Sequence, residues 1–232
     1  MKRLFLSLSI LVASATAVSA QVEIGIKVSP SVTYLRTDAA STYQFKDEKS
    51  QLGFGGGLIV DYFFGENYAF STGLMLTGKG GTYSYQKDYR ALNPNDPLIP
   101  KGDVQKLSTQ YLELPLTVKL FTNEIAPATR LYFQLGGSLA VPIGARINGE
   151  KRYTDPDTNE ETTALSHVLF IDANALVAFG AEYQLGRSTK LLAGLSYHRG
   201  LVNLDHYFEK TRGFSDVTIK NNVFALDLGM KF

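Results

Sequence analysis

The sequence predicts an all-β protein: a closed antiparallel up-and-down transmembrane β-barrel of eight strands, preceded by a cleaved signal peptide. Three observations predict this fold. Eight segments alternate between apolar and polar residues, the connections between them are alternately long and short, and no stretch after Ala20 is long and apolar enough for a transmembrane helix. A barrel crosses a membrane with such weak hydropathy because only alternate residues of each strand face lipid.

The first twenty residues are typical of a secretory signal peptide. Residues 2–3 supply a basic start, residues 4–12 form a short apolar core, and the Val-Ser-Ala stretch at 18–20 provides the small residues that precede a cleavage site. A helical hairpin or a retained anchor is the alternative, but the apolar core is too short to span the hydrocarbon layer comfortably. We therefore expect a cleaved signal peptide at 1–20 and one barrel domain at 21–232.

The composition limits the possible functions. Lys and Arg together number 23, Asp and Glu number 22, and the formal net charge is +1, which argues against a nucleic-acid partner. The chain contains no cysteine, which excludes a disulfide framework and a lipid-modified N-terminal cysteine. Apolar residues make up 44% and the mean hydropathy is −0.05, as in many soluble proteins. The membrane assignment therefore depends on pattern and not on composition.

The last segment has the clearest alternation. In residues 223–232, one face carries Phe224, Leu226, Leu228, Met230 and Phe232, and the other face carries small or charged residues. The stretch 108–121 repeats this pattern, with leucine or valine at every even position from 112 to 120. The other predicted strands start at Val22 and Gln51 and span 68–80, 130–146, 166–185 and 190–201. No competing helical segment is predicted.

Connections of two lengths separate the predicted strands. The connections at 64–67, 122–129 and 186–189 are short, whereas those at 37–50, 81–107, 147–165 and 202–220 are long and polar. With eight strands, the chain ends and the short turns lie at one end of the barrel and the long loops at the other. Bacterial outer-membrane barrels have short periplasmic turns and long extracellular loops, so we expect a location in the bacterial outer membrane.

Aromatic residues gather near the ends of the predicted strands, where membrane barrels carry interfacial girdles. The set near the periplasmic edge is Tyr62, Phe63, Phe64, Tyr68, Phe70, Phe121, Tyr132, Phe133, Tyr183 and Phe232. The set near the opposite rim is Tyr34, Tyr83, Tyr85, Tyr111, Tyr197, Tyr207 and Phe224. The preference of aromatic residues for strands explains their number but not their positions.

The polar face of the alternation defines the predicted interior. An eight-stranded barrel is just wide enough for side chains to fill, so we expect a filled lumen and not an open pore. Buried charges are tolerated when they are paired and hydrogen-bonded, which makes the charged residues of this face candidates for ion pairs across the lumen. They are Glu23, Lys27, Asp61, Lys79, Glu113, Lys119, Asp172, Glu182, Asp227 and Lys231. A catalytic acid and base, for example Glu113 and Asp227, is the alternative interpretation.

Catalytic and metal-binding patterns are weak. Ser196 shares a strand face with His198, and Asp205 precedes His206, but neither arrangement has the spacing of a catalytic triad; the third histidine is His167. The run Asp-Pro-Asp-Thr-Asn at 155–159 resembles the start of a calcium loop but lacks the glycine and the glutamate that such a loop requires. We predict no catalytic residue, no cofactor and no metal site.

The stretch Tyr-Leu-Glu-Leu-Pro-Leu-Thr-Val-Lys at 111–119 resembles the signature strand of the PorT-like outer-membrane β-barrel family of Bacteroidota. The glycine-containing first two strands, the strand at 71–80 and the closing strand at 226–232 are similar to this family as well. The resemblance covers essentially the whole mature chain. It implies an outer-membrane barrel in a family whose members mostly lack assigned functions. The member that gives the family its name belongs to an apparatus that exports proteins across the outer membrane. The matching motif defines no site residue.

Taken together, these observations predict a small outer-membrane barrel with a structural, binding or assembly role. Its expected partners are the lipid bilayer, the barrel-assembly machinery, and envelope proteins that contact the outer loops. The terminal Phe232 is the candidate assembly signal. The alternatives are a component of a PorT-type secretion apparatus, a barrel enzyme that acts on lipid or peptide at the outer rim, and a soluble lipocalin-like binder with its apolar residues inside.

Overall fold

The alternating segments form one closed sheet in the computed structural model, which describes residues 22–39, 45–85, 104–154, 161–205, 207–208 and 216–232. The strands are β1 (Val22–Asp38), β2 (Phe45–Lys49), β3 (Gln51–Gly65), β4 (Tyr68–Tyr85), β5 (Gln105–Phe121), β6 (Thr129–Ile147), β7 (Arg152–Thr154), β8 (Glu161–Thr163), β9 (Asp172–Gln184), β10 (Lys190–Gly200) and β11 (Thr218–Lys231). A 3-10 helix at Ala164–His167 follows β8. The predicted signal peptide at 1–20 lies outside the described residues.

Eight of these strands form the wall of the barrel. Strands β1, β3, β4, β5, β6, β9, β10 and β11 follow one another around the ring, each antiparallel to the next, and β11 pairs with β1 to close it. Gly25 of β1 lies opposite Ile59 on one side and Lys231 on the other. The short strand β2 extends the sheet along the end of β4, and β7 and β8 form a separate hairpin. The predicted closed, eight-stranded antiparallel barrel is confirmed.

The two faces of the wall differ as the alternation predicts. In β11, Phe224, Leu226 and Leu228 are exposed on the outside, whereas Ala225 and Asp227 are buried on the inside. The same apolar surface continues around the ring and includes Ile24, Leu58, Leu74, Leu114, Leu135 and Leu195. A soluble lipocalin-like barrel would have the opposite arrangement. We call the end with the short turns the periplasmic end and the opposite end the outer end.

Several strands are longer than predicted. β1 and β4 run to Asp38 and Tyr85, and β11 begins at Thr218, within stretches assigned to loops. The hydrophobic alternation ends where lipid ends, but backbone pairing does not need lipid, so the ladders continue beyond the apolar band. The strand predicted at 166–185 was wrong at its start, because a 3-10 helix occupies 164–167 and β9 begins only at Asp172.

A two-residue turn organises the outer loop after β6. Asn148 and Gly149 have φ angles of 52° and 94°, the left-handed values of a type I′ turn, and Ile147 and Glu150 exchange two backbone hydrogen bonds of 3.0 Å across it. The Asn148 side-chain oxygen also accepts a hydrogen bond from the Lys106 N–H at 2.9 Å. Asparagine and glycine tolerate this conformation best, so the sequence encodes the turn within a stretch that is otherwise predicted only as a loop.

The aromatic residues divide between the two faces, so the girdle prediction was only partly right. Several lie exposed on the outer wall near the strand ends: Tyr62, Phe64, Tyr68, Phe70, Phe133, Tyr183, Phe224 and Phe232. Others are buried inside: Phe63, Tyr83, Tyr85, Tyr111, Phe121 and Tyr132. The alternation explains the difference, because residues two apart in a strand point to the same face. Phe63 follows the inward Asp61 by two residues, and Phe121 follows the inward Lys119 by two.

Candidate functional site: the lumen of the barrel

The lumen is the candidate functional site because it holds every charged residue assigned to the inner face. Nine of them are buried and Lys27 is half-buried. Together with Lys190 and His198, they form two clusters and one separate pair. The periplasmic cluster consists of Glu23, Asp61, Lys119, Glu182, Lys190 and Lys231; the central cluster consists of Lys79, Glu113, Asp172 and His198; the separate pair is Lys27 and Asp227.

Lys231 lies at the centre of the periplasmic cluster. Its ammonium is 2.6 Å from Asp61 Oδ2 and 3.2 Å from Glu23 Oε2, and it also contacts Glu182. Lys119 donates to both oxygens of Asp61, at 2.9 and 3.2 Å. Three strands that are not neighbours, β3, β9 and β11, are therefore joined through one buried ammonium group. Such charges are stable inside a protein only as a mutually paired set.

Aromatic rings surround the periplasmic cluster. Phe63, Phe121 and Tyr132 form a buried apolar cluster with Ala69 and Leu192. The Lys119 ammonium lies 5.3 Å from the centre of the Tyr132 ring, and the Lys231 ammonium lies 5.6 Å from that of Phe121. Cations near ring faces are stabilised by the ring quadrupole, more strongly where water is excluded. The rings therefore add to the ion pairs and occupy the space between them.

The Tyr132 side chain lies along the inner face of the wall, over two glycines of the next two strands. Gly180 and Gly194 lie opposite each other in β9 and β10, and a Cβ atom on either would collide with the phenol oxygen of Tyr132. Both positions are therefore too crowded for a Cβ atom, because the Tyr132 hydroxyl and the backbone carbonyls of Ala193 and Phe179 approach them closely. The sequence analysis did not predict this arrangement, although the alternation places both glycines on the inner face.

Glu113 connects the members of the central cluster. Its Oε2 lies 3.1 Å from Lys79 Nζ and accepts a hydrogen bond from the Thr77 hydroxyl at 2.8 Å, and its Oε1 lies 3.2 Å from His198 Nδ1. Lys79 also contacts Asp172, at 3.5 Å. Each oxygen of this fully buried carboxylate therefore has a polar neighbour, as burial requires.

Tyr111 and Asn221 extend the central cluster. The Asn221 amide donates to Asp172 Oδ2 at 3.2 Å and to the Tyr111 hydroxyl at 3.3 Å, and the Tyr111 ring lies 5.2 Å below the Lys79 ammonium. Sequence reasoning missed both residues as parts of the interior, and it placed Tyr111 in the outer aromatic set. Its position two residues before Glu113, in the same phase, is the signal that would have found it.

The separate pair lies between the two clusters. Lys27 Nζ is 3.3 Å from Asp227 Oδ1, and the Ser29 hydroxyl donates to the same oxygen at 2.6 Å. Glu113 and Asp227 thus belong to different ion pairs, and the structure does not bring them together as an acid and base pair. The Ser196 hydroxyl, which shares a strand face with His198, makes no hydrogen bond with any described residue.

A small cavity of about 50 Å³ separates the clusters. Polar residues from both clusters line it, and so do the apolar side chains of Ile59, Met75, Leu176, Leu192 and Val223. A cavity of this size holds a few water molecules and no larger solute. The lumen therefore has a partly apolar middle layer, which the sequence reasoning, based on charges and glycines, did not anticipate.

An apolar cluster closes the lumen at the outer end. We call it the outer apolar cluster; its buried members are Leu35, Tyr83, Tyr85, Leu107, Ala145, Ala164, Val168, Phe208, Val217 and Ile219. Phe208 packs edge-on against Phe45 at 5.1 Å between ring centres and against Tyr85 at 5.6 Å. The wall and the outer loops thus contribute to one core, and burial of each large apolar side chain stabilises the closed state by about 1.5 to 3 kcal/mol.

The described part of the chain lacks a membrane-spanning helix and a metal-binding group of side chains. None of its helices has the length and apolar character needed to cross a membrane. Within the same residues, no three His, Asp or Glu side chains are grouped to hold a metal ion. His206 and the calcium-loop-like run at 155–159 lie outside the described residues.

The fold and the inverted arrangement, apolar outside and charged inside, define a β-barrel protein of the bacterial outer membrane. Residues 14–206 match the model of the family described as the outer membrane protein beta-barrel domain. The chain belongs to this family. No curated protein matches the sequence.

Solved outer-membrane proteins with similar structures were found as well. Ail of Yersinia pestis, solved with the heparin analogue sucrose octasulfate, has 13% identity and a TM-score of 0.42, with 91% of this chain and 99% of that chain covered. OprG of Pseudomonas aeruginosa has 12% identity, a TM-score of 0.43 and coverages of 90% and 95%. The protease OmpT of Escherichia coli has 11% identity, a TM-score of 0.39 and coverages of 93% and 97%. Identities in this range say nothing about activity.

Proposed function

We propose that this protein is a closed, non-conducting barrel with a structural, binding or assembly role in the outer membrane. The observation that carries the proposal is the filling of the lumen at successive levels by the periplasmic cluster, the partly apolar middle layer and the outer apolar cluster. A solute would have to break buried ion pairs and a packed core to pass. The surface left for recognition is then the outer loops, which are the expected contact region for envelope proteins.

Conductance measurements test the closed lumen. We expect the purified mature barrel, inserted in a planar phosphatidylcholine bilayer at moderate salt, to give no stable channel, because the charged side chains are engaged with one another and the remaining cavity holds only a few waters. An open porin inserted under the same conditions serves as the control for detection. A steady open level in the wild-type protein, comparable to that of the porin, would contradict the proposal.

We propose further that the protein is not an enzyme. His198 faces the carboxylate of Glu113 inside the closed lumen, and the Ser196 hydroxyl makes no hydrogen bond to it. Nucleophilic catalysis requires the nucleophile and the base within hydrogen-bonding reach and access for the substrate. An enzyme at the outer rim remains the alternative, and hydrolysis of lipid or peptide substrates that disappears on a single substitution in the outer loops would favour it.

Within its family, we propose membership of the PorT-like branch of Bacteroidota, which rests on the stretch 111–119. Its inward residues contribute to the lumen: Tyr111 and Glu113 to the central cluster, Thr117 through a 2.6 Å hydrogen bond from Gln134, and Lys119 to the periplasmic cluster. These contacts support a structural reason for the motif. A role in protein secretion is the alternative, and loss of cargo export on deletion of the gene would favour it.

Phe232 is the proposed signal for the barrel-assembly machinery. Its side chain is 59% exposed, and its backbone N–H donates to Ile24 O at 2.8 Å. Deletion of Phe232 removes one hydrogen bond and no buried contact, so we expect a lower yield of assembled barrel at the cell surface but only a small change in unfolding free energy, about 1 kcal/mol.

Phe64→Ala provides the matched control, since Phe64 is also exposed, at 52%, on the periplasmic edge. Heat-modifiable mobility on gels and surface labelling measure assembly in both variants. Normal assembly of the Phe232 deletion, or an equal loss in Phe64→Ala, would contradict a specific role for the terminal residue.

Two further parts of the proposal concern the removal of the N-terminal segment and the contact of the outer wall with lipid. We propose that residues 1–20 are removed as a signal peptide, leaving one barrel domain at 21–232, and N-terminal sequencing of the membrane-extracted protein would test this. The lipid bilayer is the partner of the apolar outer wall, where residues such as Leu58, Leu114 and Leu226 are exposed.

A further inference from the structure

A cationic patch lies on the outer wall near the outer end, where β10, β11 and β1 adjoin. Arg36 of β1 lies opposite Lys220 of β11, and one row nearer the membrane centre Asn222 of β11 lies between Tyr34 of β1 and Arg199 of β10. Directly opposite residues of neighbouring strands share a face. That face is the outer one, because Asn221 and His198, the neighbours in sequence, point into the lumen.

The patch lies at the level expected for lipid headgroups. Outward residues of β11 are apolar from Phe224 to Phe232, which corresponds to about 27 Å along the strand and about 21 Å along the membrane normal at a tilt near 40°. This is close to the height of the apolar band of such barrels, about 25 Å. Asn222 and Lys220 follow immediately beyond that band, on the side of the outer leaflet.

The cations of the patch differ from those of the lumen in their partners. Among the described residues, no carboxylate forms an ion pair with Arg36, Arg199 or Lys220. Arg36 donates a hydrogen bond to Gly200 O at 3.3 Å, and Asp38, the nearest acid along the outer face of β1, lies one row farther out, opposite Thr218. The lysines of the lumen are all paired with carboxylates, so the patch is a distinct electrostatic environment.

Asn222 adds an independent observation. Its side chain is 1% exposed although it belongs to the outer face, and its Oδ1 accepts a hydrogen bond from the Tyr197 hydroxyl at 3.2 Å. Its Nδ2 is buried and has no hydrogen-bond partner within the described part of the chain. A buried donor without an acceptor costs free energy, and an acceptor that displaces the side chains covering this donor would remove the cost. The donor and the three cations thus favour the same kind of ligand, an anionic oxygen group.

We propose that this patch binds the phosphate of a lipid in the outer leaflet. The rings below it support a lipid and not a soluble anion: Phe224 stacks on Tyr197 at 4.4 Å and on Tyr34 at 6.4 Å between ring centres. Aromatic rings of this kind lie at the membrane interface, where acyl chains begin below the headgroups. A phosphate held by Arg36, Arg199 and Lys220 would therefore place its acyl chains along the apolar wall beneath the rings.

Native mass spectrometry of the mature barrel in detergent micelles tests the proposal. Each membrane-facing cation is worth about a fivefold preference for an anionic lipid, so we expect the wild type to retain phosphatidylglycerol over phosphatidylcholine at least tenfold. The triple variant Arg36→Gln, Arg199→Gln, Lys220→Gln should lose this preference. The control triple variant Lys46→Gln, Lys106→Gln, Arg146→Gln removes the same charge from other exposed positions and should retain it.

Two further measurements verify the fold of the variants and separate a lipid site from a site for soluble anions, and the control variant separates it from a general effect of net charge. Heat-modifiable mobility verifies that both triple variants are folded barrels. Inorganic phosphate at millimolar concentration should not displace the bound phosphatidylglycerol, and displacement would overturn the proposal in favour of a soluble anion. An unchanged lipid preference in the patch variant, or an equal loss in the control variant, would overturn it as well. None of these results depends on whether the lumen conducts.

Discussion

Replacement of Lys231 by methionine should lower the free energy of unfolding by about 3 to 5 kcal/mol, the range found when one partner of a buried ion pair is removed. The Lys231 side chain is buried and contacts three carboxylates, those of Glu23, Asp61 and Glu182. Without its ammonium, the cations left to these acids within the described residues are Lys190 for Glu23, Arg130 for Glu182, at 3.9 Å, and Lys119 for Asp61. Urea unfolding in lipid vesicles or micelles measures the change.

Lys27→Met is the matched control for this prediction. It removes the same kind of charge from the lumen, but Lys27 is half-buried and its ion pair is with Asp227, which keeps its hydrogen bond from Ser29. We expect a loss well below that of Lys231→Met. The double variant Lys231→Met with Glu182→Gln should recover part of the loss, since Glu182 is left with only the more distant Arg130, at 3.9 Å. Equal losses in the two single variants would show that Lys231 does not have its inferred central role.

Leu226→Arg should cost about 2 to 4 kcal/mol when the barrel folds into a bilayer, the range for a cation at the midplane of a barrel wall. Leu226 is 44% exposed on the outer face, within the apolar band. It lies opposite Leu195 of β10, with Phe224 and Leu228 on either side of it along β11. An arginine there must lose its hydration or bend toward the interface. Folding equilibria in phosphatidylcholine vesicles measure the cost.

Ala225→Arg provides the comparison, because Ala225 is the preceding residue but faces the lumen, where it is 7% exposed and lines the cavity. Its arginine would crowd a packed interior and would not meet lipid. The two costs should therefore respond differently to bilayer thickness: a thinner bilayer relieves Leu226→Arg and leaves Ala225→Arg unchanged. Equal tolerance of both variants would contradict the assignment of the faces.

The fold was predictable because lipid on one side and side chains on the other impose a strict period of two on each strand. In β11 the alternation alone separates Phe224, Leu226 and Leu228 from Asp227 and Lys231. The same phase would have placed Phe63, Phe121 and Tyr132 inside. Their assignment to the girdles used only their distance to the strand ends and ignored the direction of their side chains.

The pairing inside the lumen was not predictable from the sequence. Lys79 of β4 meets Asp172 of β9, and Lys231 of β11 meets Asp61 of β3, so the partners lie on strands that are not adjacent. Which side chains meet across the lumen depends on the stagger between strands, which is a property of the whole ring. The alternation indicates which charges point inward, but it does not give the register that brings particular charges together.

The seam between the first and last strands determines when the wall can be completed. Ser29 and Asp227, which are 198 positions apart, and Glu23 and Lys231, which are 208 apart, meet only after nearly the whole polypeptide has been made. Contacts so distant in sequence form slowly. Until they form, β1 and β11 each present a free edge of unpaired amides and carbonyls that can join a foreign strand. Protection of these two edges during transit through the periplasm is therefore a requirement that the connectivity itself imposes.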